Sequence, residues 1–247
     1  MQDQLTNGDL PHWFRPGFAH FVTFRLANTL PITVLHALQR EREERLLRPP
    51  PLGTDLWQHR ANIHKRIFAR YDELLDQSKS TRWLSDERVA TMIRDSLYHL
   101  HGQKYELLAY TIMPNHVHVL LQPFASAMAV QRPAHEQSRR DEASLECPDS
   151  TSPLTKIMHS LKSFTANRAN ELLGRTGRFW QKESYDHWVR DTEELERIAN
   201  YIAANPVNAG LCSSPREWRF SSAHDRYERD QSECALVGWL RDDWQDK

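Results

Sequence analysis

Residues 110–123 read YTIMPNHVHVLLQP, and the second half of this stretch alternates strictly between two kinds of side chain. On a β-strand successive side chains face opposite sides, so His116 and His118 share one face while Val117 and Val119 share the other. The Cβ atoms of the two histidines are then about 7 Å apart, a separation that two imidazoles can close around one metal ion. The pattern therefore predicts half a metal site on one strand, and the alternative is two ordinary polar-face histidines.

The neighbouring sequence predicts the elements around this strand. Residues 105–112 have the composition of a strand, and the Pro114-Asn115 turn joins it to the histidine strand in a hairpin. Another strand is predicted at 19–26. Apolar residues at three- and four-residue steps predict helices at 33–47, 56–75, 85–100 and 153–173, and from Asp191 to a stop at Asn205-Pro206.

The composition of the chain limits its possible domain organisation and binding partners. The chain has 247 residues, 39% of them hydrophobic and 26% charged, with a formal net charge of -1. We predict one domain over 1–247, with a helical insertion at about 40–80, a disordered linker at about 124–152 and a polar tail at about 224–247. Because the chain is not basic overall, any surface that binds nucleic acid must be a local patch.

The cysteines and the hydropathy pattern indicate a compartment. Cys147, Cys212 and Cys234 are few, odd in number and without metal-type spacing, which indicates a reducing, cytoplasmic location. There is no stretch of 18 consecutive apolar residues, and the N-terminus has no basic segment followed by an apolar run. We therefore expect a soluble protein that is neither exported nor inserted in a membrane.

A short segment mixes basic and aromatic residues in a way that suits single-stranded nucleic acid. Arg178, Phe179, Trp180 and Gln181 precede a lysine, a composition that can stack bases and neutralise phosphates. An edge strand with buried Phe179 and Trp180 explains the same residues, and the sequence leaves both alternatives open. The candidate DNA contacts are these four residues together with Lys162 and Arg168 of the helix at 153–173.

The last predicted helix carries a candidate nucleophile. Tyr201 and Asn205 are four residues apart, so they lie on one face of the helix and could face a site together. The alternative is that Tyr201 simply packs beside Ile198 and Ile202. Tyr185 and Tyr227 are rival tyrosines.

Taken in order, four motifs resemble one family. They are MPNHVH at 113–118, FWQ at 179–181, YIAANPVNAGL at 201–211, and Trp218 with Ser221-Ser222. Their order and spacing over residues 16–224 resemble the REP-associated tyrosine transposases, which belong to the HUH single-tyrosine transposases. The resemblance implies an α+β fold: a ferredoxin-like antiparallel sheet flanked by helices, with the histidines on a central strand and the tyrosine on a nearby helix.

The resemblance also implies roles. His116 and His118 would be metal ligands for Mg²⁺ or Mn²⁺, Asn205 a third ligand and Tyr201 the nucleophile. The implied activity is cleavage and rejoining of single-stranded DNA beside hairpins of repetitive extragenic palindromes, by a monomer or a homodimer. Neither the predicted insertion nor the linker is expected to touch the site.

The chemistry is consistent with the residues. A tyrosine hydroxyl titrates near pH 10, so its attack on a phosphodiester needs a divalent ion that neutralises developing charge and would leave a 5′-phosphotyrosine. Two imidazoles and an amide are uncharged and would leave such an ion strongly electrophilic. A non-catalytic nucleic-acid-binding module is the main alternative. A histidine-dependent nucleotide hydrolase is weaker, because Leu120 stands where its third histidine would be.

Overall fold

The computed structural model describes residue 15, residues 17–124 and residues 152–224. The strands are β1 (His20–Arg25), β2 (Tyr105–Ile112), β3 (His116–Pro123) and β4 (Tyr185–Trp188). The α-helices in these ranges are α1 (Ile32–Leu46), α2 (Leu56–Gln77), α3 (Glu87–Leu100), α4 (Pro153–Leu172) and α5 (Thr192–Asn208). In the same ranges, short 3₁₀ helices span Trp83–Ser85 and Pro215–Glu217.

The four strands form one antiparallel sheet in the order β2-β3-β1-β4. β3 therefore lies between β1 and β2, and β1 lies between β3 and β4, which is the split β-α-β arrangement of a ferredoxin-like sheet. Helices lie between β1 and β2 and between β3 and β4 in the chain. The predicted α+β fold class is confirmed.

The sheet has two buried faces with different coverings. Val117 and Val119 point to the face covered by α3 and α4, where they join the larger hydrophobic core. His116 and His118 are completely buried on the opposite face, which also carries Phe21 and Leu120 and is covered by α5. Strict alternation along β3 therefore places the two histidines together, as the sequence predicts.

α1 and α2 pack against each other, and α2 also lies over the histidine face. Asp55 caps α2 by accepting a hydrogen bond from the Gln58 amide, and the buried residues of α2 include Ile67, Tyr71 and Leu75. The predicted insertion at about 40–80 thus contains the end of α1 and all of α2. Of the predicted linker at about 124–152, residues 125–151 lie outside the described residues, and so does the predicted tail after residue 224.

The last helix is longer than predicted. α5 continues through Pro206 to Asn208, so the predicted stop at Asn205-Pro206 is wrong. Proline has no backbone N–H, so at this position the final turn of α5 lacks only one amide donor. The turn closes around it, because the Ala209 amide donates to the Asn205 carbonyl at 3.0 Å and the Leu211 amide to the Pro206 carbonyl at 2.9 Å.

Residues 218–222 cover the outer edge of β2. Trp218 Nε1 donates to the Ile112 carbonyl at 3.0 Å, and the Ile112 amide donates to the Phe220 carbonyl at 2.8 Å. The Ser222 amide donates to the Tyr110 carbonyl at 3.0 Å. These bonds occupy backbone groups of the edge strand that would otherwise be open to pairing.

Among the described helices, none combines the length and apolar character needed to cross a bilayer.

Candidate metal centre and tyrosine

The two histidines of β3 bring their ring nitrogens together. Nε2 of His116 lies 3.0 Å from Nε2 of His118, and neither side chain is exposed to solvent. The ring centroids are 4.6 Å apart. Two imidazole nitrogens at this distance must share a proton or a cation, because two facing lone pairs repel each other.

A hydrogen bond on the far side of each ring orients that ring, and for His116 the bond also fixes which nitrogen is free. Asn115 Nδ2 donates to the Leu75 carbonyl at 2.7 Å, which orients the amide so that its oxygen faces His116. His116 Nδ1 then donates to Asn115 Oδ1 at 2.6 Å, and its Nε2 keeps the lone pair. His118 Nδ1 lies 2.7 Å from the Thr23 hydroxyl. Outer partners of this kind set the tautomer and orientation of metal-binding histidines.

Asp72 of α2 completes a group that fits a divalent metal. Its Oδ1 accepts no hydrogen bond and lies 3.3 Å from His118 Nε2 and 3.8 Å from His116 Nε2. The circle through the three ligand atoms, which are 3.0, 3.3 and 3.8 Å apart, has a radius of about 2.0 Å, close to a typical metal–ligand bond length. Asp72, His116 and His118 are all buried and can hold a metal together.

Asp72 corrects two expectations about the site. The predicted insertion was expected not to touch the site, yet α2 supplies this carboxylate. The donor set was expected to be uncharged, whereas a carboxylate adds one negative charge, which strengthens cation binding and reduces the electrophilicity of the bound ion. The sequence does carry a signal for Asp72: it lies four residues after Phe68 and three before Leu75, on the buried side of α2.

Tyr201 reaches the same group from α5. Its hydroxyl donates a hydrogen bond to Asp72 Oδ2, and its ring centroid lies 5.6 Å from that of His118. Asn205 Nδ2 donates to the same Asp72 oxygen at 3.1 Å. The carboxylate thus faces the histidines with one oxygen and the tyrosine with the other. Asn205 Oδ1, the atom that could bind a metal, is buried and accepts no hydrogen bond.

Burial and mutual charge shift the pKa values in the site. Burial, with the charge of His118, lowers the pKa of His116 to about 3, so this ring is neutral at pH 7. Burial alone would raise the pKa of Asp72, but the nearby His118 and His116 and the Tyr201 hydroxyl hold it well below its usual range. Burial and the Asp72 charge raise the pKa of Tyr201 far above 10, which keeps its hydroxyl protonated.

The predicted DNA contacts have different environments. Phe179 and Trp180 are 1% and 5% exposed in the core, and Trp180 Nε1 donates to Thr165 Oγ1 at 2.9 Å, which fits the packing alternative rather than base stacking. Lys162 Nζ donates to the Lys182 carbonyl at 2.9 Å and to Ser184 Oγ at 3.1 Å, and Arg168 pairs with Glu171. Arg178 is exposed and Gln181 partly exposed, so these two are accessible to a ligand.

The rival tyrosines are placed differently. Tyr185 is buried, and its ring stacks on Phe68 with a centroid distance of 4.2 Å. Tyr227 lies outside the described residues. Tyr185 therefore contributes a ring to the wall of the site, and in the described ranges it is Tyr201 whose hydroxyl contacts the metal-type group.

The fold and the site together define a ferredoxin-like α+β protein with a buried His-His-Asp group beside a tyrosine. A curated protein of Haemophilus influenzae, named "Putative REP-associated tyrosine transposase", is 27% identical to the chain over 120 residues. The match covers 49% of this chain and 60% of the relative, which is less than two thirds of its length. This similarity confirms the resemblance to REP-associated tyrosine transposases that the motifs indicate.

Family models and solved structures do not identify the chain further. No family model matches the chain. The solved structure of a REP-associated tyrosine transposase bound to a REP hairpin covers 90% of this chain and 82% of its own, with 14% identity and a TM-score of 0.44. That likeness is too distant to carry an argument about fold or site.

Proposed function

We propose that this chain is a metal-dependent single-stranded DNA nuclease and strand transferase that acts beside hairpin-forming, REP-like sequences through a covalent 5′-phosphotyrosine on Tyr201. One observation carries the proposal: the Tyr201 hydroxyl and the Nε2 atoms of His116 and His118 all meet the carboxylate of Asp72. The hairpin substrate comes from the name of the relative in Haemophilus influenzae, which associates that protein with REP sequences.

His116, His118 and Asp72 would hold the metal, which we infer to be Mg²⁺ or Mn²⁺, and Asn205 could add its amide oxygen. When bound, the ion would neutralise charge on the scissile phosphate and help to orient it for in-line attack. All of these side chains belong to one chain, so a monomer contains a complete site, and a homodimer would contain two.

Tyr201 supplies the attacking oxygen. A bond forms between Tyr201 Oη and the phosphorus while the bond from phosphorus to the 3′ oxygen breaks, which leaves a free 3′-hydroxyl and the downstream strand on the tyrosine. The phenol loses its proton to solvent as the bond to phosphorus forms, and the departing 3′ oxygen takes up a proton from solvent, so the protons balance. Because the phosphotyrosine keeps the phosphodiester bond energy, another 3′-hydroxyl can reverse the step and rejoin strands.

Asp72 also determines when the attack is possible. Its negative charge raises the pKa of Tyr201, so the phenol is a poor nucleophile while the carboxylate is uncompensated. A cation held at Asp72 would offset this charge, which would link activation of Tyr201 to loading of the metal site.

The experiment incubates the protein with Mn²⁺ and 5′- and 3′-labelled DNA hairpins taken from palindromic repeats around the gene, and resolves the products on a denaturing gel. We expect a protein–DNA adduct that carries the 3′ label, disappears with EDTA and is missing in Tyr201→Phe. Tyr185→Phe is the matched control and should retain the adduct. An adduct retained in Tyr201→Phe would contradict the proposal.

The alternative of a non-catalytic binding module makes a different prediction. It expects retarded hairpin DNA on a native gel with or without Mn²⁺ and no covalent product at any metal concentration. Binding of the hairpin without any adduct, by a protein shown to be loaded with Mn²⁺, would support that alternative.

A further inference from the structure

The carboxylate of Asp72 fills the space between the candidate nucleophile and the two histidines. One of its oxygens accepts the hydrogen bond from Tyr201, and the other lies 3.3 Å from Nε2 of His118 and 3.8 Å from Nε2 of His116. In-line attack needs the phosphorus atom at about 3–3.5 Å from the attacking oxygen. The scissile phosphate therefore needs the space that this carboxylate occupies, and the two anions cannot lie there together.

The same group is closed to solvent by α2. His116 and His118 are completely buried, and Asp72 is 4% exposed. Phe68 of α2 lies over them, with its ring centroid 6.4 Å from that of His118 and 6.2 Å from that of Tyr201. A DNA strand can reach the Tyr201 hydroxyl and the histidines together only if one of the covering elements moves.

Of the elements that meet at the site, α2 is the one least tied to the sheet. β3 lies inside the sheet, and α5 packs along β2 and β3. Among the described elements, α2 packs extensively only against α1. The two helices bury a small apolar cluster, which contains Leu30, Leu38, Tyr71 and Leu75. α1 and α2 therefore form a helical hairpin, residues 32–77, that can move as one body.

Both ends of the α1–α2 hairpin are attached at one place. The hydroxyl of Ser78, directly after α2, donates to the Thr29 carbonyl at 2.6 Å, and the hydroxyl of Ser80 donates to the same carbonyl at 3.0 Å. The opposite end is the connection between α1 and α2, where Leu47 and Leu52 are strongly exposed. This arrangement allows the hairpin to rotate about residues 28–31 and 78–82.

The contacts that hold α2 over the site can be exchanged rather than lost. Lys65 Nζ pairs with Glu194 of α5 at 3.1 Å, and its side chain is 41% exposed, so water can solvate it when α2 moves. Glu194 keeps Arg190 and Arg197 of its own segment, at 2.8 and 2.9 Å. The buried carboxylate of Glu194 thus remains paired in either position of the hairpin, which avoids the cost of an unpaired buried charge.

We propose that the α1–α2 hairpin is a gate, which holds Asp72 in the place of the scissile phosphate and rotates away as a unit when a single strand enters. This proposal rests on the proposed function, which places a phosphate between Tyr201 and the histidines. The phosphate is an anion like the carboxylate that it replaces, so a cation at the histidines keeps an anionic oxygen ligand during the exchange.

The first test cross-links α2 to α5. Lys65 and Arg197 reach the same oxygen of Glu194 from the two helices, so Lys65→Cys with Arg197→Cys is joined by a short reducible linker, in a chain whose three native cysteines are serine. Glu193→Cys with Arg197→Cys carries the same linker within α5 and is the matched control. The cross-link from α2 to α5 should lower the yield of the covalent DNA adduct at least about tenfold, and reduction should restore it. Mn²⁺ binding should persist in the cross-linked protein, because Asp72 stays over the histidines.

The second test does not depend on cleavage. Spin labels at Leu52→Cys, in the exposed connection, and at Glu171→Cys, on the surface of α4, are placed in the same cysteine-free chain. Pulsed electron paramagnetic resonance with Mg²⁺ should show a changed distance when a DNA hairpin with a single-stranded flank binds.

An undiminished adduct in the cross-linked protein, or an unchanged distance with that DNA bound, would overturn the gate. A changed distance without an adduct in any variant would support the gate and contradict the proposed cleavage by Tyr201.

Discussion

The site depends on Asp72, because the two oxygens of its carboxylate contact different groups. Oδ1 faces the two histidine nitrogens, and Oδ2 accepts hydrogen bonds from Tyr201 and Asn205. Replacing this carboxylate with an amide preserves the shape and removes the charge. Its effects on metal binding and on the tyrosine can therefore be measured separately.

We predict that Asp72→Asn weakens Mn²⁺ binding at least about tenfold, because an anionic ligand of the cation becomes a neutral one. Isothermal titration of the metal-free protein measures the effect. Asp76→Asn, one helical turn later and outside the His-His-Asp group, is the matched control and should bind Mn²⁺ more tightly than Asp72→Asn. Equal affinities in the two variants would show that Asp72 is not a ligand.

Asn115 should act on the metal through His116. We predict that Asn115→Ala releases the Nδ1 hydrogen of His116, changes the tautomer seen in the ¹⁵N shifts of that ring, and weakens Mn²⁺ binding about 10- to 100-fold. Gln122→Ala is the control, since Gln122 lies on the same strand and its side-chain amide donates to the Gly17 carbonyl rather than to a histidine. An unchanged imidazole spectrum in Asn115→Ala would contradict the role assigned to Asn115.

At the scale of elements, α2 is held against α5 at two levels. Lys65 of α2 pairs with the buried Glu194 of α5 at 3.1 Å, and two turns later Asp72 meets Tyr201. Arg190 and Arg197 also pair with Glu194, at 2.8 and 2.9 Å. This ion cluster fixes the start of α5 and the middle of α2, and so sets the position of Asp72 over the histidines.

We predict that Glu194→Ala lowers the free energy of unfolding by about 1–3 kcal/mol, since it removes charge-assisted hydrogen bonds from a buried carboxylate. Arg197→Ala, whose side chain is 55% exposed, should cost less than about 1 kcal/mol. Urea unfolding measures both. A loss for Glu194→Ala no greater than that for Arg197→Ala would mean that the cluster does not anchor α2.

The elements themselves are well encoded in the sequence. The apolar stripes of α3 and α4 predict bounds close to those observed, and the alternation of β3 predicts a strand, because these signals are local. The end of α5 predicted at Asn205-Pro206 is wrong, because a helix can accommodate a proline near its end when the carbonyls around it accept hydrogen bonds. The contact of Tyr201 with Asp72 joins residues 129 positions apart, so no local pattern predicts it.

At the scale of the whole molecule, buried histidines should make stability depend on pH. Burial lowers the pKa of His20 to about 4 and contributes most to the value of about 3 for His116, whereas both rings titrate near 6.5 in an unfolded chain. Below pH 6.5 the unfolded state therefore binds more protons, and stability falls as the pH falls. The contribution of Asp76 to this pH dependence has the opposite sign. Burial and the charge of Asp72 raise its pKa to about 7, so its protonation stabilises the fold as the pH falls.

We predict that the metal-free protein is less stable at pH 5 than at pH 7, by about 2 kcal/mol for each of these two histidines before the opposing effect of Asp76. Thermal unfolding in EDTA at the two pH values measures the difference. Asp76→Asn removes the opposing contribution and should widen the gap. An Asp76→Asn variant that is equally stable or more stable at pH 5 would show that these rings are not held neutral in the fold.

The most direct test of the central claim, that one centre joins the paired imidazoles, Asp72 and Tyr201, is a crystal structure of the full chain with Mn²⁺ and an anomalous difference map. We predict one peak within bonding distance of Nε2 of His116, Nε2 of His118 and an oxygen of Asp72, with the Tyr201 hydroxyl facing it. The map also shows whether Asn205 is a ligand. Mn²⁺ bound elsewhere with this group empty, or a Tyr201 hydroxyl turned away into the core, would contradict the claim.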